Sequence, residues 1–126
     1  VTGKLVLVID DEDDIREVAQ ASLEIMAGLE VIVACSSQEG LHKAEEEQPD
    51  AILLDVMLPD MDGLTVFQHL QANPATKHIP VILLTAKVQM SDQRRFAELG
   101  VKAMIAKPFK PAKLAHQLLE VLGWNS

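Results

Sequence analysis

Two apolar patterns alternate along the 126 residues. Short, nearly unbroken runs recur at 4–9 (KLVLVI), 30–35 (EVIVAC), 51–54 (AILL), 80–84 (PVILL) and 101–106 (VKAMIA). Such runs suit strands buried on both faces of a parallel sheet. Between them the apolar positions fall at helical spacing. The sets are Ile15, Val18, Ala19, Leu23 and Met26; Leu41 and Ala44; Leu64, Phe67 and Leu70; Phe96 and Leu99; and Leu114, Leu118, Val121 and Leu122. Five strands alternating with five helices through short loops call for right-handed crossovers and a sheet covered on both sides. The expected fold class is α/β, a three-layer αβα sandwich.

Start and stop signals agree with this division. Asp13 or Asp14 can cap the first helix, and Gly28 can end it. Ser36 with Glu39 matches a capping box, and Asn73-Pro74 closes the third helix. Ser91 or Asp92 can cap the fourth, which stops at Gly100. Pro111 suits the first turn of the last, which Gly123 closes.

Composition narrows the class. The chain is 48% apolar and 24% charged, ordinary values for one folded domain. No apolar run exceeds about five residues, too short for a membrane span, and no cleavable leader pattern opens the sequence. Cys35 is the only cysteine, so a reducing cytoplasm fits; as a small hydrophobe ending a strand it is expected to be buried. The net charge of −8 is lopsided, with 16 Asp/Glu against 3 Lys/Arg in residues 1–63 and 3 against 8 in residues 64–126. The acidic half argues against general nucleic-acid binding and for a divalent cation.

The candidate chemistry stands where the strands end. Asp10-Asp11 follows the first run, Asp55 the third, Thr85 the fourth and Lys107 the fifth. In a parallel sheet these C-terminal tips share one edge, where open α/β sheets bind ligands. Alone, Asp55 reads as a strand end, Thr85 as a turn hydroxyl and Lys107 as a surface lysine. Five such groups at adjacent tips are hard to obtain by accident. Three converging carboxylates repel unless a cation arrives, and oxygen ligands with room for water suit Mg²⁺. A hydroxyl and an ammonium beside them are what a transferring phosphoryl group requires. Asp55 would then be the nucleophile of an acyl phosphate.

With these residues the sequence resembles the receiver domains of two-component response regulators over nearly its whole length, chemotaxis receivers among them. The matching features are Asp10-Asp11, Asp55, Pro59, Asp62-Gly63, Thr85-Ala86 and Lys107-Pro108-Phe109. The resemblance implies the strand order 2-1-3-4-5, which for a chemotaxis receiver is one of the reference cases of this fold. It implies one receiver domain over 1–126, with a core of about 4–123, either a stand-alone regulator or a piece of a larger one. A histidine kinase or phosphotransfer protein would phosphorylate Asp55. Asp11, Asp55 and the Met57 carbonyl would ligate Mg²⁺, with Asp10 acting largely through water. Thr85, Lys107 and the backbone N–H groups of Met57 and Ala86 would hold the phosphoryl oxygens, and the Lys107–Pro108 peptide would be cis. The domain would act as a switch, not as a turnover enzyme, changing the surface around the fourth helix, fifth strand and fifth helix. A downstream protein would read that surface, with no direct nucleic-acid or membrane contact.

One departure concerns output. Receivers commonly carry Tyr or Phe three residues before the lysine, where this chain has Met104, and the acids often found just before it are replaced by Lys102 and Ala103. Met104 therefore joins Thr85 as the candidate switch pair.

Three rivals remain open on the residues. A phosphatase of the haloacid-dehalogenase type would use Asp11-Glu12-Asp13, but needs acids beyond Lys107, where only Glu120 stands, and a cap domain. Flavin binding needs a phosphate-cradling loop after the first strand, and Asp10 to Asp14 would repel a phosphate. A receiver-like interaction module without phosphorylation would not need the complete site.

Overall fold

The computed structural model describes residues 3–86 and 90–124, without the side chains of 90–93. Five parallel strands, β1 (Leu5–Ile9), β2 (Glu30–Ala34), β3 (Ala51–Asp55), β4 (Val81–Thr85) and β5 (Ala103–Ala106), lie in the order β2-β1-β3-β4-β5. Each connection is a helix: α1 (Asp13–Ala21), α2 (Ser37–Glu47), α3 (Gly63–Ala72) and α4 (Met90–Leu99), with α5 (Pro111–Leu122) following β5. The expected architecture and strand order hold. No described helix is long and apolar enough to cross a membrane.

Strand alternation divides the core into two layers. Val6, Val8, Leu53, Leu84 and Ile105 pack with Ala19, Leu23, Leu114 and Leu118, so this face is covered by α1 and α5. Leu7, Ile9, Ile52, Leu54 and Leu83 pack with Ala44, Val66, Phe67 and Leu70, so the other face is covered by α2 and α3. Phe96 of α4 and Met104 of β5 join this second layer from its margin. β3, central and buried along its whole length, belongs to both layers.

Several local expectations change. α1 begins after Glu12, so Asp13 and Asp14 sit in its first turn rather than at its cap, where they still suit the helix dipole. A π-helical turn, Ser22–Met26, extends α1. Its wider winding breaks the 3.6-residue stripe. Leu23 stays buried, whereas Met26 is 55% exposed and Ile25 81%. Val18 and Leu99 are also exposed rather than inward. Cys35 is exposed because β2 stops at Ala34 and the chain turns there. Its N–H donates to the Glu39 carboxylate (2.6 Å), one residue earlier than a capping box requires. Glu39 N–H does donate to Ser36 Oγ (3.2 Å). β5 is shorter than its apolar run, and α4 starts at Met90, which puts Ser91 and Asp92 inside its first turn.

One turn is fixed by the absence of a side chain. Gly63 N–H donates to the Val56 carbonyl (2.7 Å), folding the β3–α3 loop back onto the end of β3. A Cβ at Gly63 would lie 2.6 Å from Val56 Cα and 2.7 Å from the Asp55 carbonyl oxygen. Both obstacles are backbone, so the loop would have to move. Gly63→Ala is expected to destabilise the fold by about 1–3 kcal/mol, the usual cost of overpacking, read from its urea midpoint. An unchanged midpoint would show that the loop yields freely.

Candidate functional site

Strand parity builds the site. The alternation that turns Val8, Leu53 and Ile105 toward α1 and α5 turns Asp10, Asp55 and Lys107 the same way. Val8 is directly opposite Leu53 in the β1–β3 ladder, so two residues later Asp10 comes beside Asp55. Carboxylate oxygens of Asp10, Asp11 and Asp55 lie within 4.8 Å of one another. Lys107 reaches across from the far side of the sheet, its Nζ 2.8 Å from Asp10 Oδ2 and 3.3 Å from Asp55 Oδ1. The Lys107–Pro108 peptide is cis, as expected.

The remaining contacts fix the two buried acids. Asp10 Oδ1 accepts from Glu12 N–H (2.9 Å), and Asp55 Oδ1 accepts from Met57 N–H (3.1 Å). Asp10 Oδ2 has the ammonium of Lys107 beside it but no directed hydrogen bond. A fully buried carboxylate oxygen without one, next to exposed Asp11 and buried Asp55, is the kind of donor set a hard cation completes. Thr85 is buried at the tip of β4, where its carbonyl accepts from Lys107 N–H (2.8 Å) and ties the two strand tips together. Ala86, next to it, is exposed.

All five tip residues are therefore brought to one edge. Met57 presents its side chain to solvent, while its N–H is engaged by Asp55. Met104 lies away from the carboxylates, opposite Leu83 in the β4–β5 ladder. There it lines a groove of about 310 Å³ with Phe96, Ala97 and Val101.

Three residues around the site were not singled out from sequence. Glu12 Oε1 is 3.7 Å from Lys107 Nζ. Arg16 donates from Nη1 to the Asp10 carbonyl (2.7 Å) and pairs with Asp13. Asp60 accepts from the backbone N–H groups of Ser37 (3.2 Å) and Gln38 (3.3 Å) and from the Ser37 hydroxyl, anchoring the β3–α3 loop to the start of α2. Arg16 had a signal, since it is the only Lys or Arg between Lys4 and Lys43. Asp60 had none, because its partners are more than twenty positions away.

Burial raises the Asp55 carboxyl above its ordinary range, and the charge of Asp10 adds to this; Met57 N–H and Lys107 offset part of it. For Lys107 burial works against the charged form, but its close contacts with the Asp10 and Asp55 carboxylates and their charges outweigh it, so its pKa is raised. The two groups act oppositely on stability. Lys107 contributes stability below its unfolded pKa that is lost as pH rises through its higher folded value. Asp55 in its ionised form carries a penalty that is relieved as pH falls through its raised folded value. Asp55→Asn removes that penalty, so the metal-free variant is expected to unfold at higher urea than the parent at pH 7. The gap should narrow as pH falls through the folded Asp55 value; a less stable variant at pH 7 would contradict the crowding.

Comparison with known proteins places this site in a lineage. A family model, response regulator receiver domain, matches residues 6–119. The phosphate regulon transcriptional regulatory protein PhoB of Pseudomonas aeruginosa is 38% identical over 122 residues, 97% of this chain and 53% of that protein. The chain spans about half the length of the curated relatives it matches. Among solved structures, chemotaxis response regulator CheY4 of Vibrio cholerae superposes with a TM-score of 0.86 at 30% identity, covering 94% of this chain and 98% of that one. The receiver domain of sensor histidine kinase PA1611 from Pseudomonas aeruginosa PAO1, solved with magnesium in its active-site cleft, gives 0.83 at 30% identity over 96% and 98%. The chain belongs to the response regulator receiver domain family, and this receiver domain is a phosphorylation-driven signalling switch.

Proposed function

We propose that Asp55 is the phosphoacceptor of this switch, with Mg²⁺ as cofactor and a phosphohistidine of a histidine kinase or phosphotransfer protein as donor. The observation that carries this is the Lys107 ammonium poised between Asp10 and Asp55, with the third carboxylate, Asp11, alongside. Lys107 and Met57 N–H both engage Oδ1 of Asp55, which orients the carboxylate and leaves Oδ2 to attack. That oxygen forms the new O–P bond, the P–N bond of the donor breaks with its electron pair going to the imidazole nitrogen, and an acyl phosphate results. Asp11, Asp55 and the Met57 carbonyl would hold the metal, with Asp10 acting through water. When bound, Mg²⁺ supplies positive charge where the transferring oxygens meet three carboxylates. Lys107, Thr85 and the N–H groups of Met57 and Ala86 would take the phosphoryl oxygens, for which Met57 N–H must leave Asp55.

The receiver unit on this reading is residues 1–126, with its core at about 4–123. Output would pass through Thr85, which shares the strand parity of Leu83 and so belongs to the layer of Met104. Methionine adapts to irregular space, so the two states would differ less in packing than a ring would allow. Arg94, Arg95, Lys102, Lys110 and Lys113 lie exposed around α4, β5 and α5, which suits an acidic downstream protein segment rather than nucleic acid or membrane.

Incubated with acetyl phosphate and Mg²⁺, the protein is expected to gain one phosphoryl group by intact mass, and Asp55→Asn none. Undiminished labelling of the variant would move the acceptor elsewhere. For output, NMR shift changes on adding a phosphoryl mimic should extend from Asp55 to Met104 and the groove it lines. Changes confined to the carboxylate edge would mean that the signal leaves by another route.

A further inference from the structure

The loop between β1 and α1 carries five consecutive acids, Asp10 to Asp14, and two cations touch it. Lys107 lies on the inner side, against Asp10 Oδ2. Arg16 lies on the outer side, and it holds the loop at both ends. Its Nη1 donates to the Asp10 carbonyl (2.7 Å), and its Nη2 pairs with the Asp13 carboxylate. The Arg16 side chain is only 16% exposed, so the fork is packed rather than waving in solvent.

α1 needs such a brace. Its N-cap residue, Glu12, makes no side-chain capping hydrogen bond, and neither acid of the first turn caps the helix. What fixes the corner is a pair of contacts on Asp10: Glu12 N–H on its carboxylate and Arg16 on its carbonyl. Asp11 sits between the two ends of the fork with an exposed side chain, so its position follows from the corner as a whole.

We propose that Arg16 is a positioning residue for the cation site. It touches neither Asp11 nor Asp55, and holds the β1–α1 corner so that Asp10 and Asp11 face Asp55. This rests on the reading of the three carboxylates as a Mg²⁺ site. Charge and geometry make opposite forecasts for Arg16, which is what makes the assignment testable. A positive charge beside a cation site opposes binding, so on charge alone removing Arg16 should tighten Mg²⁺. If the fork positions the ligands, removal should weaken it, and loss of an outer supporting contact commonly costs a metal site about 10-fold or more in affinity. Lysine keeps the charge but lacks the planar fork that meets two acceptors at once.

The experiment measures Mg²⁺ affinity by calorimetric titration in the parent, Arg16→Gln, Arg16→Lys and Asp13→Asn, far below each melting temperature. Exchange protection of the Glu12 amide is followed in the metal-free proteins. The expected result is about 10-fold weaker Mg²⁺ in both Arg16 variants, a smaller loss in Asp13→Asn, and a less protected Glu12 amide. Tighter or unchanged binding in Arg16→Gln, or full recovery in Arg16→Lys, would overturn the positioning role. Absence of Mg²⁺ binding in the parent would instead overturn the reading of the carboxylates on which it rests.

Discussion

The arrangement depends on one buried cation. Lys107 Nζ stands within 3.3 Å of two carboxylates that are almost wholly removed from water. Without it, Asp10 and Asp55 would be like charges at adjacent strand tips, where burial already raises the Asp55 carboxyl. Losing this cation would leave two carboxylates with neither water nor partner, a change that in buried ion groups typically costs roughly 3–5 kcal/mol. Neutralising Asp55, by contrast, leaves Lys107 paired with Asp10. The sheet order places this lysine three strands from β1, so its contact with Asp10 bridges the C-terminal edge. The edge is thus held by charge, while both faces are held by hydrophobic packing.

This division explains why a site that opposes folding can persist. The two apolar layers, continuous through β3, carry the stability. They leave the strand tips free to keep an unfavourable cluster, poised to gain whenever positive charge arrives. The β3–α3 loop is held the same way, by contacts beyond the site: Asp60 on the start of α2 and Gly63 on the end of β3.

Much of this was legible in the sequence, for a definite reason. A parallel sheet sends every strand's C-terminal residue to one edge, so Asp10, Asp55, Thr85 and Lys107 could be grouped from where their apolar runs end. Contacts that cross between elements without a periodic pattern could not be found that way. Asp60 looks like loop punctuation until α2 is seen beside it. The exposure of Met26 accompanies a π turn that no 3.6-residue template anticipates. Cys35 is exposed rather than buried because one residue decides whether a strand end is covered or turned out.

The two-layer core has a further consequence. Asp10, Asp55 and Lys107 follow the parity of one layer, while Leu83 and Met104 belong to the other. The carboxylates and Met104 are therefore on opposite sides of a wall, the sheet itself. The wall has a rim, and Thr85 stands on it, in the odd-numbered parity of Leu83 yet tied through its backbone to Lys107. Thr85 thus borders both sides at once, and on the proposed reading a change at the carboxylate edge would meet this threonine before it met Met104.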